Sequence, residues 1–195
     1  MDSSNQEGEG KQKITEVKTF PVPFPLRENQ ENISIHTNTP TKPSKEQLIN
    51  QAFKFHSQGN ILEATKYYQQ LINQGFQDYG VFSNYGIILQ GLGKLKEAEL
   101  STRKAIEIKP YLAEAHSNLG NILRDLGKLK EAELSIRKAI ELKPDFANAY
   151  YNLGGILIDI DRSIEAEIST RKAIKLNPDF ADAYLNLGII LSDLG

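Results

Sequence analysis

Asparagine recurs at one fixed interval along this 195-residue chain: Asn50, Asn84, Asn118, Asn152 and Asn186 are each separated by 34 residues. A side-chain amide carries two donor hydrogens and an acceptor oxygen, so it can pair with both the N–H and the C=O of an extended peptide backbone. Such pairing ignores the peptide's side chains, and a column of amides would hold many sequences. Asparagine is a mediocre helix former, so local propensity does not explain its return at all five positions. Duplication accounts for the later copies, yet the first stretch has lost several shared residues and still keeps Asn50. Two readings stand. The amides grip a ligand, or they are solvated or hydrogen-bond between neighbouring segments.

Catalytic chemistry finds less support. His36, His56 and His116 have no metal-ligand or triad partners at a useful spacing. The chain has no cysteine, which excludes disulfides and thiolate metal sites. Gly154-Gly155 and the other glycines sit inside helical stretches, not in strand-to-helix loops, so they form no phosphate cradle. The carboxylates repeat with the same period, which marks a surface pattern and not a unique acid–base pair. The expectation is no catalytic residue, no metal and no cofactor: the chain is not an enzyme.

Composition agrees with a binding role. Lys and Arg number 23 against 25 Asp and Glu, a net charge of −2, which argues against a chain built for nucleic acid or an anionic membrane. The N-terminal residues hold no apolar run that would serve as a secretory signal, and runs such as Leu153 to Ile158 are too short to span a bilayer. A soluble, cytoplasmic protein is expected.

The elements that carry the asparagines follow the same interval. Pro110, Pro144 and Pro178 are also 34 residues apart, and residues 94–110 match 128–144 at 15 of 17 positions, differing only at Thr102/Ile136 and Ile108/Leu142. That register divides the chain into units 45–78, 79–112, 113–146 and 147–180 and a half unit, 181–195. Within a unit, His116, Leu119, Gly120 and Leu123, then Leu129, Ala132, Leu134, Ile136, Ala139 and Ile140, fall at helical spacing. Each unit therefore reads as two short helices. A glycine such as Gly93 or Gly127 ends the first, and the proline after Ala139-Ile140 stops the second. Ser44 and Gln47 predict a capping box for the first helix of the array. Residues 1–44 hold five of the eight prolines and no sustained period, so they read as a disordered or extended tail. Its segment Phe20-Pro21-Val22-Pro23-Phe24-Pro25-Leu26 favours a polyproline-like spacer. Asn32-Ile33-Ser34 matches a glycosylation sequon, read as chance without a secretory signal.

On these residues the chain resembles the tetratricopeptide repeat (TPR) family. The third unit carries the pattern at Leu119, Gly120, Gly127, Ala132, Ala139 and Pro144; the second at Gly86, Gly93, Ala98, Ala105 and Pro110; the fourth at Leu153, Gly154, Ala166, Ala173 and Pro178. Departures are His116 in place of the usual aromatic, Asp161 in place of the turn glycine, and Gln51-Ala52 and Phe76 in the first unit. The resemblance implies an all-α, right-handed superhelical solenoid whose first helices line a concave groove. The asparagine column resembles the ladder in the TPR superhelix of O-linked N-acetylglucosamine transferase-like proteins and the analogous ladder in armadillo-type importins.

If His116, Leu119, Gly120 and Leu123 pack inward, the opposite face of that helix carries Glu114, Asn118, Asn121 and Asp125. Glu46, Asp159, Asp182 and Asp193 share the face, so an extended and somewhat basic protein segment is the expected partner, unless these carboxylates are merely solvated. The residues before the asparagines are Ile49, Ser83, Ser117, Tyr151 and Leu185, and no lysine stands on this face. Chaperone-binding members of the family clamp a terminal carboxylate with lysines there, so a chaperone-tail receptor is not expected. The basic pairs Arg103-Lys104, Arg137-Lys138 and Arg171-Lys172 each follow a glutamate by four residues, which predicts ion pairs within the helix and no nucleic-acid ridge.

The expected function is a non-catalytic interaction scaffold. Its groove residues are Asn50, Asn84, Asn118, Asn121, Asn152, Asn186, Glu114, Asp125, Asp159 and Asp182. The alternative is the substrate-recruiting arm of a transferase whose catalytic domain is missing. The last helix lacks a covering helix, with Ile189, Ile190 and Leu194 expected to be exposed, so it either self-associates or marks a shortened relative of a longer protein.

Overall fold

The computed structural model describes residues 43–195. The Phe20 to Leu26 segment, the Asn32 sequon and His36 lie outside them. Nine helices follow in order among the described residues: α1 (Lys45–Ser57), α2 (Ile61–Asn73), α3 (Tyr79–Gly91), α4 (Leu95–Ile108), α5 (Ala113–Asp125), α6 (Leu129–Leu142), α7 (Ala147–Asp159), α8 (Ser163–Leu176) and α9 (Ala181–Leu194). No strand occurs among the described residues.

Local chemistry sets the helix ends. The Ser44 hydroxyl accepts the Gln47 N–H at 3.2 Å while the Gln47 side chain accepts the Ser44 N–H at 2.8 Å, completing the expected capping box. Each first helix closes on a left-handed residue: Gly59, Gly93 and Gly127 at φ near 73°, and Asp161 at 58°. At Gly127, two reverse hydrogen bonds form, Gly127 N–H to Arg124 C=O and Lys128 N–H to Leu123 C=O, and satisfy carbonyls that the helix leaves open. The same pair forms at Asp161 in the fourth unit, Asp161 N–H to Ile158 C=O and Arg162 N–H to Leu157 C=O. The short polar side chain of Asp161 is among those that tolerate this conformation.

Consecutive helices pack as antiparallel neighbours, and α5 also touches α3 and α7, as α7 touches α9. The interlock within a unit depends on one glycine. A Cβ built on Gly120 would lie 2.5 Å from the Ile136 side chain; on Gly86 and Gly154 it would lie 2.3 Å and 2.4 Å from the hydroxyls of Thr102 and Thr170. The second helix thus seats a β-branched residue in a hole that only glycine leaves open. Leu119, Leu123, Ala132, Ile136, Ala139, Leu153, Ile156 and Leu157 join in one buried cluster that spans units. Each such Leu or Ile contributes roughly 1.5–3 kcal/mol. Ile190 belongs to that cluster and is fully buried, correcting the expectation that it is exposed: its side of α9 faces the preceding unit. Leu194 is exposed and Ile189 half-buried. Leu134, grouped with the apolar positions of α6 in the sequence, is exposed, because Ala132, Ile136 and Ala139 take the side that meets α5. No helix among the described residues is long and apolar enough to cross a membrane.

Candidate functional site

The first helices α3, α5, α7 and α9 lie side by side, so their shared face is built from equivalent positions of successive units. The asparagine column sits in the seams between them. Asn84, Asn118, Asn152 and Asn186 are all at least nine-tenths buried, as is Asn121, whereas Asn50 is half-buried. Asn118 Nδ2 donates to Ser83 Oγ at 3.5 Å, and Asn152 Nδ2 donates to Ser117 Oγ at 3.4 Å. Each rung thus reaches the residue preceding the asparagine one unit earlier. In the next seam Asn186 stands beside Tyr151, in the place the serines hold above. The face that carries Asn118 and Asn121 is therefore a packing surface as well, because α5 is flanked by first helices on both sides.

Hydrogen-bonding capacity is left over in this column. The amide oxygens of Asn84, Asn121 and Asn152 and the Asn186 amide nitrogen are buried without a partner among the described residues. Such atoms cost about 1–3 kcal/mol each when nothing satisfies them. Two phenols border the column. Burial pushes the Tyr68 hydroxyl well above its ordinary pKa, opposed by the Asn84 amide. Tyr151 is raised by burial and by the charge of Asp182, against Arg124 and Asn186.

The predicted carboxylates fall into three groups. Asp125 accepts from Gln90 Nε2 at 2.6 Å, and Asp159 accepts from Arg124 through Nε and, at 3.0 Å, through Nη2. These pairs tie neighbouring first helices together across the face. Glu114 is paired with Lys143 of its own unit at 3.2 Å. Asp182 is half-buried near Tyr151, while Glu46 and Asp193 are exposed.

Arg124 is the residue that sequence reasoning missed. It lies over the backbone of Gly155, donating to that carbonyl at 3.2 Å, and a Cβ on Gly155 would come within 2.8 Å of Nη1. The second glycine of the Gly154-Gly155 doublet is thus the seat of an arginine from the preceding unit. A glycine with no turn to make, 31 residues after an arginine, was the available signal.

Elsewhere the structure separates the histidines. His116 Nε2–H donates to the Pro110 carbonyl at 2.8 Å, and His56 meets the Tyr68 hydroxyl at 3.3 Å. No group of three or more His, Asp or Glu residues able to hold a metal occurs among the described residues. On the second helices the expected ion pairs form, Arg103 to Glu99 at 2.9 Å, Arg137 to Glu133 and Arg171 to Glu167 at 2.8 Å. Pairs between units extend them, Lys128 to Glu99 at 2.8 Å and Arg162 to Glu133 at 2.9 Å. Lys128 and Arg103 hold the Glu99 carboxyl below its usual range; at Glu133 burial works upward, outweighed by Arg137 and Arg162.

Sequence comparison decides the family. Tetratricopeptide repeat profiles match residues 79–111, 147–180 and 170–195, and a TPR repeat profile matches 120–157. The chain belongs to the tetratricopeptide repeat family. No curated protein matches it in sequence. Solved TPR structures share the fold. MamA from Desulfovibrio magneticus RS-1 is 21% identical, covering 76% of this chain and 84% of its own, at a TM-score of 0.67. YrrB, a TPR protein with an unusual peptide-binding site, is 23% identical over 73% of both chains, at 0.65. The first TPR of Spaghetti (RPAP3), bound to the HSP90 peptide SRMEEVD, is 24% identical over 60% of this chain and 94% of its own, at 0.58.

Proposed function

We propose that this TPR array is a non-catalytic scaffold that holds an extended protein segment along the face of its first helices. The observation that carries the reading is the set of unpartnered amide atoms on Asn84, Asn121, Asn152 and Asn186, repeated along one face. These atoms are buried in the seams between first helices, so a peptide backbone, with its alternating N–H and C=O groups, satisfies them in series as the seams open to admit it. The column Asn50, Asn84, Asn118, Asn121, Asn152 and Asn186 forms the floor, and Glu114, Asp125, Asp159 and Asp182 the rim. YrrB and the RPAP3 domain are TPR proteins with peptide sites, which supports a peptide as the ligand class.

Basic side chains on the peptide meet Asp182 first, because Asp125 and Asp159 already hold Gln90 and Arg124. The non-catalytic reading rests on the repetition of these groups: the carboxylates recur with the repeat and Asp159 is paired with Arg124, so no single acid–base pair stands out on this face. The test is a displayed library of extended random peptides selected on the intact chain. Binders should lose about tenfold in affinity, roughly 1.4 kcal/mol, on the Asn84→Ala/Asn121→Ala variant with its helicity unchanged by circular dichroism. Equal affinity for both proteins would remove the amides from the mechanism.

A further inference from the structure

The second helices are near copies of one another, and one of them departs from the others on its solvent side. α4 and α6 carry the same stripe: Lys96, Leu100, Arg103 and Glu107 in the first, Lys130, Leu134, Arg137 and Glu141 in the second. Helical geometry puts these four positions on one face. On α8 they are Ile164, Ile168, Arg171 and Lys175, so a lysine has become isoleucine and a glutamate lysine. The stripe has lost its carboxylate and gained a second aliphatic side chain. Ile164 and Ile168 are 68% and 65% exposed. Leu100 and Leu134 are no less open although further second helices follow theirs, so the exposure belongs to the repeat position itself. A cation in the last turn of α8 suits the helix dipole, but the isoleucine at the other end has no such account.

Beside this stripe α6, α7 and α8 enclose a cleft of about 500 Å³. Tyr150, Leu153 and Ile140 give it an apolar floor, and Ile168 forms one lip. None of the column asparagines lines it. The equivalent residues Leu119, Ile106 and Leu134 line a cleft one unit earlier, among α4, α5 and α6. The repeat builds the recess, and charge distinguishes the two copies. Lys104 pairs with Glu107, and Lys138 with Glu141, both at 2.8 Å. Lys172 has Lys175 in that place and pairs with no carboxylate among the described residues; its ammonium lies over the Tyr150 ring, 5.9 Å from the centroid. The other charges lining the cleft are engaged, Arg137 by Glu133 and Glu141 by Lys138. The later cleft therefore joins an apolar recess to an uncompensated positive charge. Charge complementarity selects an acidic occupant, and a recess suits an inserted side chain better than a flat lipid surface.

We propose that the cleft of α6, α7 and α8 docks an acidic segment of a partner protein. One large apolar side chain enters over Tyr150 and Leu153 while flanking carboxylates meet Lys172 and Lys175. The site uses none of the asparagine column and does not depend on the peptide reading above. The probes are fluorescent synthetic peptides with a central phenylalanine flanked by glutamates, alongside copies with lysine for each glutamate or serine for the phenylalanine. They are titrated onto the full chain and followed by anisotropy. The acidic, phenylalanine-bearing peptides should bind saturably, and the two altered copies should not. Affinity should fall about tenfold in Lys172→Glu/Lys175→Glu and in Ile168→Ser, with helicity unchanged by circular dichroism. It should hold in Leu100→Ser on α4 and in Asn84→Ala/Asn121→Ala. Unchanged affinity in Ile168→Ser or in the charge reversal would overturn the proposal, as would equal binding of the lysine peptides or no saturable binding. Loss in Asn84→Ala/Asn121→Ala would overturn it by moving the peptide to the first-helix face. Sedimentation of the chain with phosphatidylserine vesicles, or its dimerisation, abolished by Ile168→Ser, would refute it by giving the surface to lipid or to a second copy.

Discussion

The first unit and the third close the same helix pair by different means. In the third, Gly120 opens a hole that the Ile136 side chain fills, and the contact is aliphatic. In the first, the equivalent residues are Ala52 and Tyr68, and closure is aromatic: Tyr68 is fully buried, with ring centroids 6.0 Å from Phe53 and 6.3 Å from Tyr85. The Tyr68 hydroxyl also reaches His56. A repeat scaffold thus keeps the order of its helix pairs while the chemistry of the contact changes: the first unit carries the larger residue at both positions, Ala52 for glycine and Tyr68 for isoleucine. The later units are easy to substitute for one another, whereas the first is tied to its own partners.

The largest expected effect tests that difference. Tyr68→Ala should cost about 3–5 kcal/mol, read as a lowered urea midpoint followed by circular dichroism. Hydrogen exchange should place the loss in α1 and α2 and leave α5 and α6 protected, because repeat arrays are stabilised unit by unit and through nearest-neighbour interfaces. A cost below about 1 kcal/mol would show that the aromatic cluster is not what holds the first unit.

A smaller effect sets one repeat position against itself. Gly120→Ala should destabilise by about 1–3 kcal/mol, since the new methyl meets Ile136 and a packed core resists enlargement. Gly188→Ala should stabilise by about 0.5–1 kcal/mol, the ordinary gain of alanine in a helix with space around it. Thermal melting of the two variants should therefore move in opposite directions. Matching shifts would mean that helix propensity, not the interlock, sets the value of this glycine.

Much of the architecture was legible because the repeat is written in residues with strong local meaning. Glycine ends a helix, proline forbids its continuation, and the capping box marks a start; each acts within one turn of itself. Asp161 could be read as a replaced turn glycine from its register alone. The site was less legible, since it depends on contacts between units. Helical periodicity sets Asn118 off the stripe of His116, Leu119, Gly120 and Leu123, but it does not reveal that a neighbouring first helix covers that side too and brings Ser83 within reach. Likewise, Arg124 and Gly155 look unrelated until α5 and α7 lie side by side. Ile190 was misplaced for the same reason: a single helix does not say which neighbour claims each of its faces.

The smallest effect concerns a titration that belongs to the first unit alone. Burial lowers the pKa of His56 below the usual histidine value of 6.5, with the Tyr68 hydroxyl as its neighbour. The folded chain therefore favours the neutral ring, while the unfolded chain protonates near 6.5. Stability from this group is fully present above that pH and is lost as the pH falls through the folded value. Glu99 and Glu133, whose pKa values are also lowered, hold their contribution above the ordinary carboxylate value and lose it as the pH falls from there through their folded values, so the two windows separate. The urea midpoint should fall between pH 7.5 and 5.5, with hydrogen exchange rising in α1 and α2, and His56→Gln should flatten that interval while leaving the acid limb intact. An unchanged slope in the variant would assign the titration to another group and would narrow the first unit's distinction to its aromatic packing.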